Sequence, residues 1–348
     1  MQQVYLSIVI PAYNESKNIK KNILEVDRWV KRNNKYPFEI IVVNDGSTDD
    51  TKSILNKIKL NIKNLKVIHH DTNFGRGKAI RTGFEHVSGK YIICLDADLS
   101  YDPKHISLLL QPLIDNTADI TLASAHHPKG MIINVPFGRR ILSKFGNKIL
   151  ALGFDKKIFT STCSVRGFKK EVVENLELMS NDKNLHLEVI QKAQLLGYKI
   201  QEIPSVLNWR DKKRRASEKN KKPSNPKTSK MRNTILSHLV FNYVSNPGIL
   251  LILPIILLSL SSITGFSLLI SNVLFRLQNT NDTIIATIRS TLIDGQITAG
   301  LTFFSIIALI IFIIFYFLSF QNKYNFDLTY KLLMRMNARI KKIENNRK

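Results

Sequence analysis

Tyr91-Ile92-Ile93-Cys94-Leu95-Asp96-Ala97-Asp98-Leu99-Ser100 is the stretch on which the reading of this chain turns. Five mostly apolar residues read as a buried strand, and the run stops at two carboxylates spaced i, i+2. In extended chain such residues point to the same side, so Asp96 and Asp98 are expected to face one point in space. Two anions that close repel unless a cation lies between them. Mg²⁺ or Mn²⁺, hard ions held by one or two carboxylates plus phosphate oxygens, suit that position, which makes Asp96 and Asp98 the candidate metal ligands.

Outward from this stretch, strands and helices alternate. Val4–Ile10 reads as a strand ending at Pro11, and a helical pattern runs from Asn14-Glu15-Ser16 to about Asn33. Phe38–Asn44 is a second strand and enters Asp45-Gly46-Ser47-Thr48-Asp49, a turn able to cap the next helix. Leu65–His69 is a third, followed by a helix over Gly75–Val87, and Ile120–Ser124 is a fifth after a helix over Ile106–Leu113. Unbroken apolar strands separated by helices predict an α/β fold with a mostly parallel sheet covered on both faces. Ligands of such sheets bind outside the carboxyl ends of the strands, so Pro11–Glu15, Asn44–Asp49, Asn73–Lys78 and Asp96–Ser100 should share one rim. Further on, Phe137–Leu152 fits an amphipathic helix, Phe159–Phe168 a strand with a turn, and Leu185–Leu196 a helix carrying Glu188. Ile200–Ile203 and Ser205–Trp209 read as short extended pieces.

The 348 residues carry 51 Lys+Arg against 27 Asp+Glu, a formal charge of +24, which points to an anionic partner. Without an aromatic-interleaved basic face, nucleic acid is not expected; phosphorylated substrates and an anionic membrane surface are. Cys94 and Cys163 have no metal-ligand spacing and read as reduced core residues. Met1 leads almost at once into apolar chain, so no secretory leader is expected.

Ile249–Val273 and Ala299–Phe320 are nearly free of charge, and each exceeds the roughly 20 residues that cross a bilayer as helix. Residues 1–230 therefore read as a cytoplasmic globular domain with a basic linker near 210–230, and 231–248 as an amphipathic juxtamembrane segment. Residues 249–320 read as two transmembrane helices joined by an external loop, 274–298, and 321–348 as a basic cytoplasmic tail. The orientation follows from the Lys/Arg excess on both flanks of the pair. Asn281-Asp282-Thr283 in the loop is an N-x-T pattern, as is Asn14-Glu15-Ser16 in its N-x-S form; the pattern alone proves little.

On the rim, Asp45 is placed to accept hydrogen bonds from a base or ribose, Tyr13 to stack on a ring, and Glu15 to act as a further acceptor. The Asn73-Phe74-Gly75-Arg76-Gly77-Lys78 turn puts glycines and cations where a helix begins, which suits phosphate. No Walker-type loop occurs, nor a G-x-G-x-x-G after the first strand, which argues against classical ATPase and dinucleotide chemistry. Four segments in order, Val9–Glu15, Val42–Asp49, Asn73–Ala79 and Asp96–Ser100, resemble the inverting family 2 glycosyltransferases with a GT-A fold. More narrowly they resemble the dolichol-phosphate mannose synthase and polyprenyl-phosphate glycosyltransferase group, many of whose members end in two membrane spans.

The resemblance implies roles by position. Pro11, Tyr13, Glu15, Val43, Asp45 and Lys78 match nucleotide-sugar positions, and Asp96, Ala97, Asp98 and Ser100 the metal and diphosphate segment, with Asp98 the direct ligand. Arg139 matches an arginine holding the acceptor phosphate, Arg166 lies in the matching turn beyond Cys163, and Arg210 reaches the donor phosphates. Departures fall on the acceptor side: His126 stands near the usual arginine, Thr160 at an acidic position, and Ser164 at a glycine. The implied reaction moves a monosaccharide, mannose or glucose, from a GDP- or UDP-linked donor to dolichyl or polyprenyl phosphate with a divalent ion. Glu188 is a fallback general base. A second copy of the chain is an admissible partner. The alternatives are a family 2 transferase with another saccharide or lipid acceptor, and a catalytically silent membrane scaffold.

Overall fold

The apolar runs become the parallel heart of one sheet: β1 (Leu6–Ala12), β2 (Phe38–Asn44), β3 (Leu65–His69) and β4 (Tyr91–Cys94). The structure, a computed structural model, describes residues 4–151, 158–210, 247–279, 283–294 and 296–346. With β5 (Ile120–Ser124), β7 (Arg166–Lys169) and β8 (Ile200–Pro204) the sheet has seven strands in the order β3-β2-β1-β4-β7-β5-β8. Every pairing is parallel except those of β7, which runs antiparallel to both neighbours. The α/β, mostly parallel expectation is met.

The helices that cover the sheet are α1 (Ile19–Asn33), α2 (Thr51–Lys59), α3 (Arg76–Glu85), α4 (His105–Ile114), α5 (Phe137–Ala151), α6 (Lys170–Leu176) and α7 (Leu185–Leu195). Apolar residues of α1 recur at Ile19, Ile23, Val26 and Val30, the i, i+4, i+7, i+11 stripe of one helical face, and all four are fully buried against the strands.

Three local departures from the sequence reading have identifiable causes. Strand β1 continues through Pro11, because β4 pairs with it only as far as Val9↔Cys94 and no rung is demanded of the missing N–H on that side. The expected strand over Phe159–Phe168 shrinks to β7. Its first part takes hydrogen bonds from side chains instead of a strand: Glu202 accepts from the Phe159 and Thr160 N–H groups at 2.8 and 2.9 Å, and Asn147 from the Ser161 N–H at 3.0 Å. A two-stranded parallel ribbon absent from the reading joins β6 (Met131–Ile133) to β9 (Val206–Asn208).

By its internal contacts the chain divides into Met1–Lys230 with Lys331–Lys348, and Met231–Tyr330. The second unit holds α8 (Pro247–Asn279), α9 (Ile284–Asp294) and the first part of α10 (Gln296–Asn346). Leu251–Asn279 and Ala299–Tyr330, 29 and 32 residues, are long and apolar enough to cross a membrane. Small residues bring α8 and α10 together, Ser262 and Ser305 sharing a hydrogen bond of 3.0 Å. The stretch 274–298, expected as a loop, instead continues α8 to Asn279 and then forms α9, whose apolar sequence favours helix over open chain. The basic linker beyond Arg210, the juxtamembrane stretch 231–246, and Asn281 lie outside the described residues.

Candidate functional site

The chain lays β1, β2 and β3 outward on one side, then returns to place β4 against the other edge of β1. That reversal opens a crevice beyond the strands' carboxyl ends. It is a cleft of about 340 Å³, lined from β1 by Pro11, Ala12, Tyr13 and Glu15, from β2 by Asp45, and from β4 by Asp96, Ala97, Asp98 and Ser100. Asn73, Gly75, Arg76 and Ala79 come from the turn before α3 and its start, and Trp209 and Arg210 from the residues after β9.

Two rim loops are tied together by their own polar groups. Asn14, in the left-handed region at φ 54°, accepts from the Thr48 N–H at 2.9 Å, while its own N–H donates to Ser47 Oγ at 2.9 Å. The Glu15 and Ser16 N–H groups donate to Thr51 Oγ1 and Asp49 Oδ2 at 2.9 and 3.2 Å. Asn14 can take that conformation because its short polar side chain bonds locally. Tyr13, 41% exposed, is thereby held on the open wall of the cleft.

Asp45 acts mainly as a hub. Its Oδ1 accepts from the Phe74 N–H at 3.0 Å and pairs with His70 Nδ1 at 2.8 Å, and its Oδ2 accepts from the Gly75 N–H at 2.9 Å. His70 in turn meets Thr82 Oγ1 of α3 at 3.0 Å. Gly75, at φ 100°, lies so close to the Asn181 carbonyl that no side chain fits, and a Cβ on Gly77 would meet the Asp182 and Ser180 carbonyls at 2.6 Å. The turn is thus pressed between Asp45 and the loop at 180–182, and Arg76 is aimed into the cleft. Lys78 is not: its ammonium reaches Glu85 at 3.6 Å and it does not line the cleft. Val43, fully buried within β2, does not line it either. Both corrections have simple causes. Two positions along a helix start turn a side chain by more than half a revolution, and an apolar strand residue next to a rim belongs to the core.

Asp96 and Asp98 both line the cleft, on the turn that follows β4 rather than on the extended chain that their spacing suggested. Asp98 Oδ1 accepts from the Ser100 N–H and Oγ at 2.9 and 2.7 Å. Leu99 between them is forced to φ 48°, a strained value for a branched side chain, and buries itself. Asp96 Oδ1 accepts from Ser164 Oγ at 2.5 Å and from Arg76 Nη1 at 3.3 Å. Burial raises the Asp96 carboxyl above its ordinary range; Arg76 opposes this, Asp98 adds to it, and Ser164 opposes it. Among the described residues the second oxygen of each carboxylate has no hydrogen-bond partner, and no cluster of three or more His, Cys, Asp or Glu is present. A site of two carboxylates with a hydroxyl beside them fits a hard divalent ion that completes its shell from substrate phosphate and water.

The residues that the resemblance assigns to the acceptor side depart from expectation, and Arg166, Glu188, His126 and Thr160 do not line the cleft. Arg166 is 2% exposed and donates to the Cys163, His186 and Ser161 carbonyls at 2.7, 2.8 and 2.7 Å, so it ties backbone together and offers nothing to a ligand. Burial pushes its guanidinium down to about 10. Glu188 accepts from the Met179 and Ser180 N–H groups, both at 2.8 Å, and pairs with Lys192 at 2.7 Å. Despite burial, those partners hold its carboxyl below the usual range, the reverse of a base. Arg139 lies on α5, and its side chain is outside the described part. His126 meets Ser143 Oγ at 3.0 Å, and burial, then Lys144 and Arg140, keep its imidazole below the ordinary value. Thr160 shares a hydrogen bond of 2.8 Å with Ser124. Arg210 closes one end of the cleft, paired to Glu25 at 2.8 Å and Asp102 at 3.3 Å. Sequence reasoning missed Arg76, Asn73, Trp209 and the Ser164 contact; the glycine-flanked turn was the available signal for the first two.

Residues 7–177 match the model of glycosyl transferase family 2. The chain is 30% identical over 207 residues to the dolichol-phosphate mannosyltransferase of Pyrococcus furiosus, covering 59% of this chain and 57% of that one. It is 28% identical over 217 residues to a dolichyl-phosphate beta-glucosyltransferase of Trichomonas vaginalis, covering 59% and 66%. With the polyprenol monophosphomannose synthase of Mycolicibacterium smegmatis it shares 27% over 211 residues, covering 59% and 77%. The chain thus spans between about half and two thirds of the length of the first two of these relatives.

Proposed function

The chain belongs to glycosyl transferase family 2, and from that premise we propose that it is a membrane-bound inverting transferase. It moves a hexose, mannose or glucose, from a GDP- or UDP-linked donor to dolichyl or polyprenyl phosphate. The single observation that carries this is the cleft at the β1/β4 reversal, lined together by Asp96, Asp98, Arg76, Tyr13 and Arg210, with Arg76 3.3 Å from Asp96. Anion-binding and cation-binding groups side by side are what a metal–diphosphate requires. The relatives' names support the lipid phosphate as acceptor.

In this reading Tyr13 and the Asp45-ordered turn hold the nucleoside, and Arg76 and Arg210 grip diphosphate oxygens, a task for which the planar guanidinium is suited. Asp96, Asp98 and Ser100 hold Mg²⁺ or Mn²⁺; when bound, the ion stabilises the negative charge that develops on the departing diphosphate. The acceptor phosphate is already an anion. One of its oxygens bonds to the anomeric carbon as the bond from that carbon to the donor's phosphate oxygen breaks, and configuration inverts without a general base. That agrees with Glu188 being fully engaged. Holding the two anions in line supplies much of the rate, up to about 7–11 kcal/mol in well-oriented systems. Arg139 on α5 belongs to the acceptor side. The helices Leu251–Asn279 and Ala299–Tyr330 anchor the chain with its basic flanks on the cytoplasmic side.

The test is a panel of labelled nucleotide sugars offered to the full chain in membranes with polyprenyl phosphate, with Mn²⁺, Mg²⁺ or chelator. A lipid-linked monosaccharide that requires the ion and is absent with Asp98→Asn is expected. Turnover unaffected by chelator or by the substitution overturns the metal assignment, and no product from any donor favours the scaffold alternative.

A further inference from the structure

Among the described residues from 4 to 210, exposed large apolar side chains outside the cleft are mostly scattered singly, as at Leu60, Leu108 and Met179, but one stretch gathers four of them. Met131, Ile133, Phe137 and Ile141 lie within eleven residues and are 56%, 36%, 78% and 53% exposed. In β6 the pleat turns Met131 and Ile133 outward while Ile132 packs on the core. On α5, Phe137, Arg140, Ile141 and Lys144 follow the i, i+3, i+4, i+7 pattern of one helical face, and all four are exposed. Between Asp119 and Asp155 the sequence has no acidic residue and five Lys/Arg. The presentation is rigid. The Met131 N–H donates to the Ser205 carbonyl at 3.0 Å, the Trp209 N–H to the Ile133 carbonyl at 3.2 Å, and Asn147 anchors the far part of α5 by accepting from Ser161.

We propose that β6 and α5 form a docking surface for an anionic bilayer, a second membrane contact besides the two spans; this rests on the membrane reading above. Exposed apolar side chains interspersed along the chain with Lys129, Arg139, Arg140, Lys144 and Lys148, and with no carboxylate in that stretch, match the boundary between lipid headgroups and acyl chains. The same chain carries two helices of bilayer length, so a bilayer is the partner it meets without a second binding event. The contact has a use: β6 pairs with β9, whose next residues Trp209 and Arg210 line the cleft, so docking brings headgroup phosphate to the cleft's edge.

Both native cysteines are buried, so single added cysteines can be labelled on the full chain. Phe137→Cys and Ile141→Cys carry a bimane probe in nanodiscs of phosphatidylcholine with or without phosphatidylglycerol. Leu60→Cys serves as comparator on the same unit and Leu257→Cys, exposed on α8, as the span control. Spin-labelled lipid is expected to quench positions 137 and 141 at least about threefold more strongly than position 60, and less strongly without phosphatidylglycerol. Quenching at 257 with none at 137 or 141 overturns the docking surface and leaves the spans standing. No quenching at 257 removes the membrane reading itself and the proposal with it. Probes at 137 and 141 shielded from both lipid and aqueous iodide overturn it in favour of a protein partner.

Discussion

The part of the chain that builds β1 to β4 and the part from β5 to β9 differ in where they leave the charged residues that the sequence singles out. In the first, the rim residues Asp96, Asp98, Arg76 and Tyr13 open into the cleft, and backbone amides and hydroxyls tie the loops beneath them. In the second, Arg166 and Glu188 spend their hydrogen bonds on the protein's own backbone. The two parts also differ in construction. The first is a run of parallel strands joined by helical crossovers, the second an antiparallel insertion and a short ribbon. In the irregular part, Arg166 and Glu188 supply backbone groups with the partners that a strand would have given, a use that no local sequence pattern announces.

Substitutions can break or sharpen this contrast. Arg166→Ala strands three buried carbonyls and should cost about 3–5 kcal/mol, seen as a lowered thermal midpoint. An unchanged midpoint with lost transfer would make Arg166 a ligand after all and dissolve the contrast. Asp98→Asn should leave the midpoint alone and reduce transfer about 10²–10³-fold. Arg76→Ala should raise KM for the nucleotide sugar about tenfold with little change in kcat, whereas Lys78→Ala should change it less than about twofold; equal effects would move the anion contact down the helix. Glu188→Gln should cost about 1–2 kcal/mol of stability with transfer within about threefold of the parent; a collapse of kcat would restore it as the base.

The smallest effect is pH dependence. Burial, then the Arg166, Arg76 and Lys183 charges, hold the His186 imidazole well below its ordinary value, so the unfolded chain gains a proton there before the folded one does. Stability should begin to fall as pH drops through about 6.5, by at most about 1.4 kcal/mol per pH unit for each such group. Glu39, Asp49 and Asp119 outweigh their burial through hydrogen bonds, with ion pairs added at Glu39 and Asp119, and keep carboxyls lowered. Their contribution is present above the unfolded carboxylate range and is lost below about pH 4. Thermal midpoints between pH 7 and 3 should show both declines, and His186→Gln should flatten the first.

The parallel strands and both long apolar helices were legible because each is a local pattern: an apolar run between breakers, or one longer than a soluble core needs. Asp96, Asp98, Tyr13 and Asp45 were legible because strand ends of a parallel sheet converge. What stayed hidden depends on distant partners. Nothing near Arg166 announces that the carbonyls of Ser161, Cys163 and His186 will surround it. The direction of β7 is set by β4 and β5 on either side, not by its four residues. Ser164, a departure from the family pattern by sequence, turns out to touch Asp96 in the cleft.

The sequence contains two tryptophans, and the structure puts them to different uses: Trp29, on α1, packs against the core, and Trp209 borders the cleft. An indole in that position is a built-in optical gauge. Donor entering beside it will alter its emission, so occupancy can be followed in real time on unlabelled protein, with Trp29→Phe leaving a single emitter.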